Sequence, residues 1–311
     1  MKIHRIGPVF GAEIREFDLS PTMSDTELAE LEAALAEHEV LVVRNQDLSA
    51  EDQLAVGRRF GQLVVSPFSP NADTAPELIV LDNHPDRPAP LTDIWHADET
   101  YRPEPPRLTM LKALIVPELG GDTMFASMRA AYDGLSDRMR AHLEGLTAHH
   151  GFGRFDRLIG STAEARRHLH AVELSLPHPD HPVVTVHPDT GRRILYVNRH
   201  FTERINELPD DEGRAILEFL LTRTATPETQ LRVTWEVGTV TMWDNRSVQH
   251  YAPHDYFPQR RRMERVTVAG SAPIAAGPAA SVQVDHIEVT GVQRAEVANG
   301  DATPTREFER T

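Results

Sequence analysis

Four His-x-Asp triplets attract attention, because an imidazole and a carboxylate two residues apart can share one metal ion. Three have a central proline, which is typical of a turn: His84-Pro85-Asp86, His178-Pro179-Asp180 and His187-Pro188-Asp189. Only His96-Ala97-Asp98 can lie at a strand end with both side chains on one side. A distant second histidine would complete a two-histidine, one-carboxylate iron(II) site. Taken alone, such a triplet is more often structural than metal-binding.

A second segment with residues that could bind a metal or take part in catalysis runs from Trp243 to Tyr251. It contains His250, and His254 follows shortly after it. Four arginines follow within six residues, namely Arg260, Arg261, Arg262 and Arg265. They fit either a solvated basic turn or a pocket for carboxylates, which arginine binds through two parallel hydrogen bonds. Because Arg265 stands at the predicted start of a strand, the four side chains need not share one face.

Composition excludes several classes of protein. The 311 residues include 32 basic and 47 acidic side chains, so the formal net charge is −15, and there is no cysteine. A thiol nucleophile, a zinc ribbon and an iron–sulfur site are therefore excluded. The negative charge argues against nucleic acid and anionic membranes as partners. No signal-peptide pattern and no run of about 18 apolar residues is visible, so a cytoplasmic protein is expected.

The elements that must position these residues are short strands with few helices. Helices are predicted after Ser24, from Ser49 to about Phe60, over 130–146 and over 210–221, from capping residues and apolar spacing. Strands are predicted over 40–43, 78–81, 108–116, 123–126, 183–186, 194–197, 231–235, 239–243 and 265–269. This pattern favours an antiparallel sandwich or jelly roll with flanking helices, an α+β and mainly β fold.

Several short sequence motifs, in the order in which they follow one another along the chain, resemble the taurine dioxygenase / 2,4-dichlorophenoxyacetate dioxygenase family of iron(II)- and 2-oxoglutarate-dependent oxygenases. The resemblance covers roughly residues 5–272 and is greatest to taurine dioxygenase from Val197 to Arg265. The blocks that carry it are Arg44-Asn45-Gln46, Arg59-Phe60-Gly61, Trp95-His96-Ala97-Asp98, Gly120-Gly121-Asp122-Thr123, Asn198 to Arg204 and Trp243-Asp244-Asn245-Arg246 through Arg265.

The resemblance implies a double-stranded β-helix and a set of site residues. His96, Asp98 and His250 would bind Fe(II), with His254 a rival for the last place. Arg261, helped by Thr123, would hold 2-oxoglutarate, the co-substrate that reacts with O2. Arg265 would anchor a small anionic substrate (a carboxylate, sulfonate or sulfate ester), which would be hydroxylated with release of succinate and CO2.

The substrate side departs from taurine dioxygenase. Ser66 and Ser69 stand where that enzyme has histidine and tyrosine, and Thr92 replaces an expected asparagine. Glu99 replaces an apolar residue; it is expected at the surface, although in the pocket it could pair with an amine. Phe201 matches a substrate-packing aromatic, or is simply a core residue. We therefore expect the same reaction on a substrate other than taurine.

Two other functions are compatible with parts of the sequence. A non-catalytic jelly-roll sensor of 2-oxoglutarate would keep Thr123 and Arg261, but it should have lost a metal ligand. A hydrolase with Ser247 as nucleophile would need a Gly-x-Ser-x-Gly elbow, which the sequence lacks. One oxygenase domain is expected over residues 1–280, with a lid-like insert at about 153–182 and a polar tail over 281–311. The family resemblance also favours a homo-oligomer.

Overall fold

One large β-sheet and three small ones form the framework of the computed structural model, which describes residues 1–66, 75–86, 92–151 and 174–277, with 167 and 171. The strands are β1 (Lys2–Arg5), β2 (Ala12–Arg15), β3 (Val40–Val43), β4 (Leu78–Asn83), β5 (Leu108–Ile115), β6 (Thr123–Ser127), β7 (Thr147–His150), β8 (Asp180–Pro182), β9 (Val184–Val186), β10 (Arg193–Leu195), β11 (Thr202–Ile205), β12 (Gln230–Val233), β13 (Val240–Asp244), β14 (Val248–Tyr251), β15 (Arg261–Val268) and β16 (Ile274–Ala275). The helices are α1 (Asp25–His38), α2 (Ala50–Phe60), α3 (Met128–Asp133), α4 (Asp137–Leu143) and α5 (Asp210–Leu221), and short 3-10 turns cover Thr222–Ala225 and Pro227–Thr229.

The large sheet has seven strands in the order β1-β2-β3-β13-β5-β15-β4. The small sheets have the orders β12-β6-β14, β10-β9-β16 and β11-β7-β8. Neighbouring strands are antiparallel, except that β2 and β3 are parallel. The predicted α+β, mainly β fold of short strands with few helices is therefore confirmed, and its largest sheet is mixed rather than purely antiparallel.

Both faces of the large sheet are buried at its central strands, whereas the edge strand β1 is exposed. On one face, side chains such as Leu41 and Met242 pack against helix α1 through Leu31. On the other face, Trp243 packs with Phe125 of the small sheet β12-β6-β14. A strand covered on both sides favours apolar residues at successive positions, which explains the unbroken run Val40–Val43.

Lys112 is buried on the helix-covered side of the large sheet. Its ammonium group donates to the Leu48 carbonyl and lies 3.7 Å from the Glu264 carboxylate on the facing strand. Gln53 of α2 donates a hydrogen bond to the Glu264 backbone carbonyl at 3.0 Å. The only other lysine of the chain, Lys2, is exposed.

The predicted helix starts are confirmed for α1 and α2. Ser24 and Ser49 form capping boxes with Glu27 and Asp52, and Gly61 is the C-cap of α2. The single helix predicted over 130–146 is wrong, since two short helices occupy this region. Ser136 forms the N-cap of α4 with its hydroxyl, which starts a new helix instead of continuing α3.

Strand β15 begins four residues earlier than predicted, at Arg261. The strand is longer than predicted because β15 pairs with β4 on one side and with β5 on the other. Strands β1, β2, β7, β8, β11, β14 and β16 had no prediction, since such short sequences carry little apolar pattern. Tertiary pairing rather than local preference therefore defines them.

Several predictions concern residues that the structure does not describe. The polar tail 281–311 and most of the insert at 153–182 lie outside the described residues. The described residues all belong to one unit, Met1–Ala279. Within them, no helix is long and apolar enough to cross a membrane.

Candidate active site

His96 and His250 lie side by side because their backbones pair directly. The His96 amide donates to the His250 carbonyl at 3.1 Å, and the His250 amide donates to the His96 carbonyl at 2.8 Å. Their ring centroids are 4.1 Å apart. With Asp98, two residues on, they offer three ligand atoms that lie within 4.8 Å of one another.

Hydrogen bonding and burial prepare the two imidazoles for a metal. Nδ1 of His96 lies 2.7 Å from the Ile94 carbonyl, which can only accept, so Nδ1 carries the proton and Nε2 keeps its lone pair. Burial lowers the pKa of His96, and burial together with nearby His96 lowers the pKa of His250 to about 3. Both rings are therefore neutral at pH 7, as metal ligands must be.

Asp98 supplies the negative charge of the site. Burial alone would raise the pKa of this carboxyl group, but the Arg265 guanidinium, together with the hydrogen bond from Thr109, outweighs that effect and holds the pKa well below its usual value. Arg265 Nη1 donates to Oδ1 at 3.0 Å, and the Thr109 hydroxyl donates to Oδ2 at 2.7 Å. Two neutral imidazoles and one carboxylate are a donor set that fits iron(II).

His254, the rival of His250, lies apart from this group. Its Nε2 is 3.1 Å from the Thr92 hydroxyl and its Nδ1 is 4.0 Å from the Asp93 carboxylate. Within the residues that the structure describes, His96, Asp98 and His250 are the one set of three or more histidine or acidic ligands close enough to hold a metal ion.

Arg261 and Thr123 face the same cavity as the two histidines. The cavity is lined by Leu81, Asn83, Thr92, His96, Leu111, Thr123, Trp243, His250, Ala252, Tyr256, Arg261 and Arg265. Arg261 is buried, and its Nε donates to the Gly121 carbonyl at 2.9 Å. Its Nη2 has no hydrogen-bond partner in the described part of the chain. A buried guanidinium with an unused donor fits a carboxylate ligand.

The four arginines do not form one basic surface. Arg261 and Arg265 are four residues apart on β15, so both point into the cavity. The sequence alone did not decide whether these two side chains share one face. Arg260 lies outside and forms two hydrogen bonds with the Asp82 carboxylate, at 2.8 and 2.6 Å. The cluster therefore contains an inner pair, Arg261 and Arg265, and an outer ion pair formed by Arg260, while the half-buried Arg262 belongs to neither.

The residues predicted for the substrate side are only partly brought together. Thr92 lines the cavity, Ser66 is buried, and Phe201 is buried edge-on against Tyr101 at a centroid distance of 5.3 Å. Ser69 lies outside the described residues.

The expected exposure of Glu99 is wrong. This side chain is buried and its carboxylate accepts a hydrogen bond from Arg102 Nε. A backbone φ of 48° at Glu99 breaks the strand alternation directly after Asp98 and turns the side chain inward. An arginine three residues on was the sequence signal that could have indicated a buried pair.

Two residues at the site had no prediction. Thr109 of β5 and Asn245, after β13, join Asp98 to the body of the large sheet. Asn245 belongs to the Trp243-Asp244-Asn245-Arg246 block, but Thr109 sits in an apolar strand with no local signal. Its role depends on the pairing of β5 with β13 and β15, which local sequence does not encode.

Comparisons with known proteins agree with this geometry. The model of the family described as taurine catabolism dioxygenase TauD, TfdA family matches residues 2–267. An alpha-ketoglutarate-dependent sulfate ester dioxygenase of Pseudomonas putida is 32% identical over 279 residues, which is 88% of this chain and 91% of that protein. An alpha-ketoglutarate-dependent 2,4-dichlorophenoxyacetate dioxygenase of Cupriavidus pinatubonensis is 34% identical over 283 residues, which is 85% of this chain and 96% of that protein. A crystal structure of a taurine dioxygenase from Burkholderia xenovorans superposes with a TM-score of 0.74 at 30% identity, covering 88% of this chain and 91% of the other.

Proposed function

The chain belongs to the TauD, TfdA family of taurine catabolism dioxygenases and is an iron(II)- and 2-oxoglutarate-dependent dioxygenase, and we propose that it hydroxylates a small organic sulfate ester, sulfonate or carboxylate other than taurine. The observation that carries this proposal is one cavity that contains His96, His250 and two inward-facing arginines. Such a cavity brings a metal site and two anion sites together.

Each side chain has a stated task in this proposal. His96 Nε2, an Asp98 oxygen and a His250 nitrogen hold the iron. Arg261 grips the distal carboxylate of 2-oxoglutarate, and the Thr123 hydroxyl adds a hydrogen bond. The chemistry that bound iron(II), O2 and 2-oxoglutarate supply is decarboxylation to succinate and CO2, coupled to hydroxylation of a substrate carbon.

Thr123 is well placed to donate that hydrogen bond. Its oxygen already accepts one from Trp235 Nε1 at 3.1 Å, so the hydroxyl hydrogen points elsewhere. The guanidinium carbon of Arg261 lies 5.8 Å from the Trp235 ring centre, a cation–π contact that fixes the arginine. The indole of Trp235 therefore orients both groups that would bind 2-oxoglutarate.

Arg265 anchors the anionic group of the substrate. Its Nη1 is engaged by Asp98, but among the described residues its buried Nε has no hydrogen-bond partner. The relatives named above act on a sulfate ester and on a phenoxyacetate, both of which carry an anionic group. Leu81 and Leu111 of the same cavity supply an apolar wall for the remainder of the substrate, whereas Phe201 packs edge-on against Tyr101 in the core.

The fold we propose is a double-stranded β-helix. Thr123 on β6 and His250 on β14 come from a small sheet, whereas Arg261 and Arg265 come from the large sheet that packs against it. A site between two facing sheets is what this architecture provides.

The test is an anaerobic assembly of protein, iron(II) and 2-oxoglutarate, followed by addition of O2 and one candidate from a panel. The panel contains alkyl sulfates, alkyl sulfonates including taurine, aryloxyacetates and amino acids. We expect succinate and a hydroxylated product in equal amounts with a sulfate ester, sulfonate or carboxylate, and little with taurine.

Two outcomes would contradict the proposal. Absence of substrate-dependent succinate with every anion would remove the assigned substrate class. Preferential turnover of taurine would show that Ser66 and Thr92 do not change the specificity as proposed.

A further inference from the structure

A chain of buried hydrogen bonds from the large sheet reaches Oδ2 of Asp98, whereas Arg265 binds Oδ1. Trp243 Nε1 donates to Asn245 Oδ1 at 3.0 Å, and Asn245 Nδ2 donates to the Thr109 hydroxyl at 2.8 Å. The Thr109 hydroxyl then donates to Asp98 Oδ2 at 2.7 Å. All four residues are buried.

The direction of this chain is fixed by the donors at its start. The Trp243 indole N–H can only donate, and the Asp98 backbone N–H also points at Asn245 Oδ1, at 3.4 Å. The amide oxygen of Asn245 must therefore face these two groups, which leaves Nδ2 to donate to Thr109. Because the Thr109 oxygen accepts there, its hydrogen is available for Asp98.

We propose that Thr109, oriented by Asn245 and Trp243, is a positioning residue that occupies Oδ2 of Asp98 and leaves Oδ1 as the metal ligand. This inference rests on the proposed function. Oδ1 lies on the side of His250, 4.0 Å from its Nε2. Oδ1 also accepts from Arg265 Nη1 at 3.0 Å, so with Thr109 on Oδ2 the carboxylate is held at both oxygens, and the second lone pair of Oδ1 stays aimed at the two imidazoles. Hydrogen-bond partners of metal ligands act in this way in other metal sites.

The neighbouring strand offers a matched control. Thr267 on β15 lies directly opposite Thr109 in the sheet register, and it is also buried. Its hydroxyl has no hydrogen-bond partner within the described residues. Thr267→Val therefore removes a buried hydroxyl from the same row of the sheet without touching Asp98.

The experiment measures the Kd of Mn(II), a redox-stable divalent metal, by the electron paramagnetic resonance of the free ion, without substrate or turnover. We expect Thr109→Val to weaken Mn(II) binding by about 10- to 100-fold, the usual effect of removing such a partner. Thr109→Ser, which keeps the hydroxyl, and Thr267→Val should bind Mn(II) as the wild type does. Thr109→Ala replaces Thr109→Val if the latter does not fold, as judged by circular dichroism.

The results separate this inference from the proposed function. Unchanged Mn(II) affinity in Thr109→Val would overturn the positioning role while leaving the metal site intact. An equal loss in Thr267→Val would also overturn it, because the effect would then come from packing. A wild-type protein that bound no Mn(II) would overturn the metal site itself, and the inference with it.

Discussion

Arg265 is the residue at which the metal site and the substrate site meet. It donates to Asp98 at 3.0 Å and also lines the cavity. Its guanidinium therefore helps to keep Asp98 ionised and, in our proposal, attracts the anionic group of the substrate. A change at Arg265 would alter both properties, so the sharper tests at this scale use residues with a single task.

Arg261 has such a task, and its neighbour Arg260 provides a control. Arg261→Gln should raise the KM for 2-oxoglutarate by about 10- to 100-fold, because a charged hydrogen bond contributes about 1.5–3 kcal/mol. Arg260→Gln breaks only the exposed pair with Asp82 and should leave the KM unchanged. Steady-state succinate formation at varied 2-oxoglutarate gives both values. Equal KM values in wild type and Arg261→Gln would assign the distal carboxylate to another residue.

The two competing histidines can be compared in the same way. His250→Ala removes a proposed ligand and should abolish tight Mn(II) binding, as should His96→Ala. His254→Ala removes a ring that contacts Thr92, outside the metal group, and should retain binding. Isothermal titration with Mn(II) decides between them, and the opposite result would exchange the roles of His250 and His254.

At the scale of elements, the Gly120-Gly121 turn before β6 determines where Arg261 can lie. Gly121 has φ of +71°, and its carbonyl accepts the hydrogen bond from Arg261 Nε. A Cβ at this position would lie 2.8 Å from the Pro117 ring and 3.2 Å from Arg261 Cδ. Gly191 has a similar φ of +69°, but a Cβ there would meet nothing within 4 Å.

Gly121→Ala should therefore disturb 2-oxoglutarate binding in a way that Gly191→Ala does not. Both variants should lose about 1–2 kcal/mol of stability through the left-handed backbone. Only Gly121→Ala should also raise the KM for 2-oxoglutarate, because it displaces Arg261. Urea unfolding and steady-state kinetics measure the two effects separately, and a normal KM in Gly121→Ala would show that Arg261 tolerates the shift.

Local signals predicted the helices α1, α2 and α5 and the strands rich in apolar residues. Capping boxes and branched side chains act within a few residues, so they can be read from sequence. The contacts of Asp98 could not be predicted in this way, because Arg265 and Thr109 reach it from strands far away in the chain. The break between α3 and α4 was not predicted, because residues at helical spacing continue across Ser136. The N-cap hydrogen bond of Ser136 starts a new helix there in spite of that spacing.

At the scale of the whole molecule, buried histidines should make stability depend on pH. Burial lowers the pKa of His96, His150, His181 and His250. As the pH falls below about 6.5, these histidines bind protons in the unfolded chain but remain neutral in the folded chain. The free energy of unfolding therefore decreases. The slope is about 1.4 kcal/mol per pH unit for each such proton.

His150 provides the test, since it is fully buried and lies outside the proposed metal ligands. His150→Gln should flatten the fall in stability between pH 6.5 and 4.5, measured by urea unfolding of the metal-free protein. His142→Gln, at an exposed position of α4, is the surface control. Glu39 acts in the opposite direction, because burial raises the pKa of its carboxyl group, and it is present in every variant. An unchanged slope in His150→Gln would contradict the assignment.

The burial of Lys112 has a practical consequence for handling this protein. With one of its two lysines enclosed beneath α2, the only lysine amine open to solvent is that of Lys2, at the edge strand of the large sheet. Amine-reactive dyes, biotin esters and activated surfaces should therefore modify a single lysine side chain. Coupling through Lys2 would attach the molecule by the first strand of the large sheet, and it would not modify any arginine or histidine of the cavity.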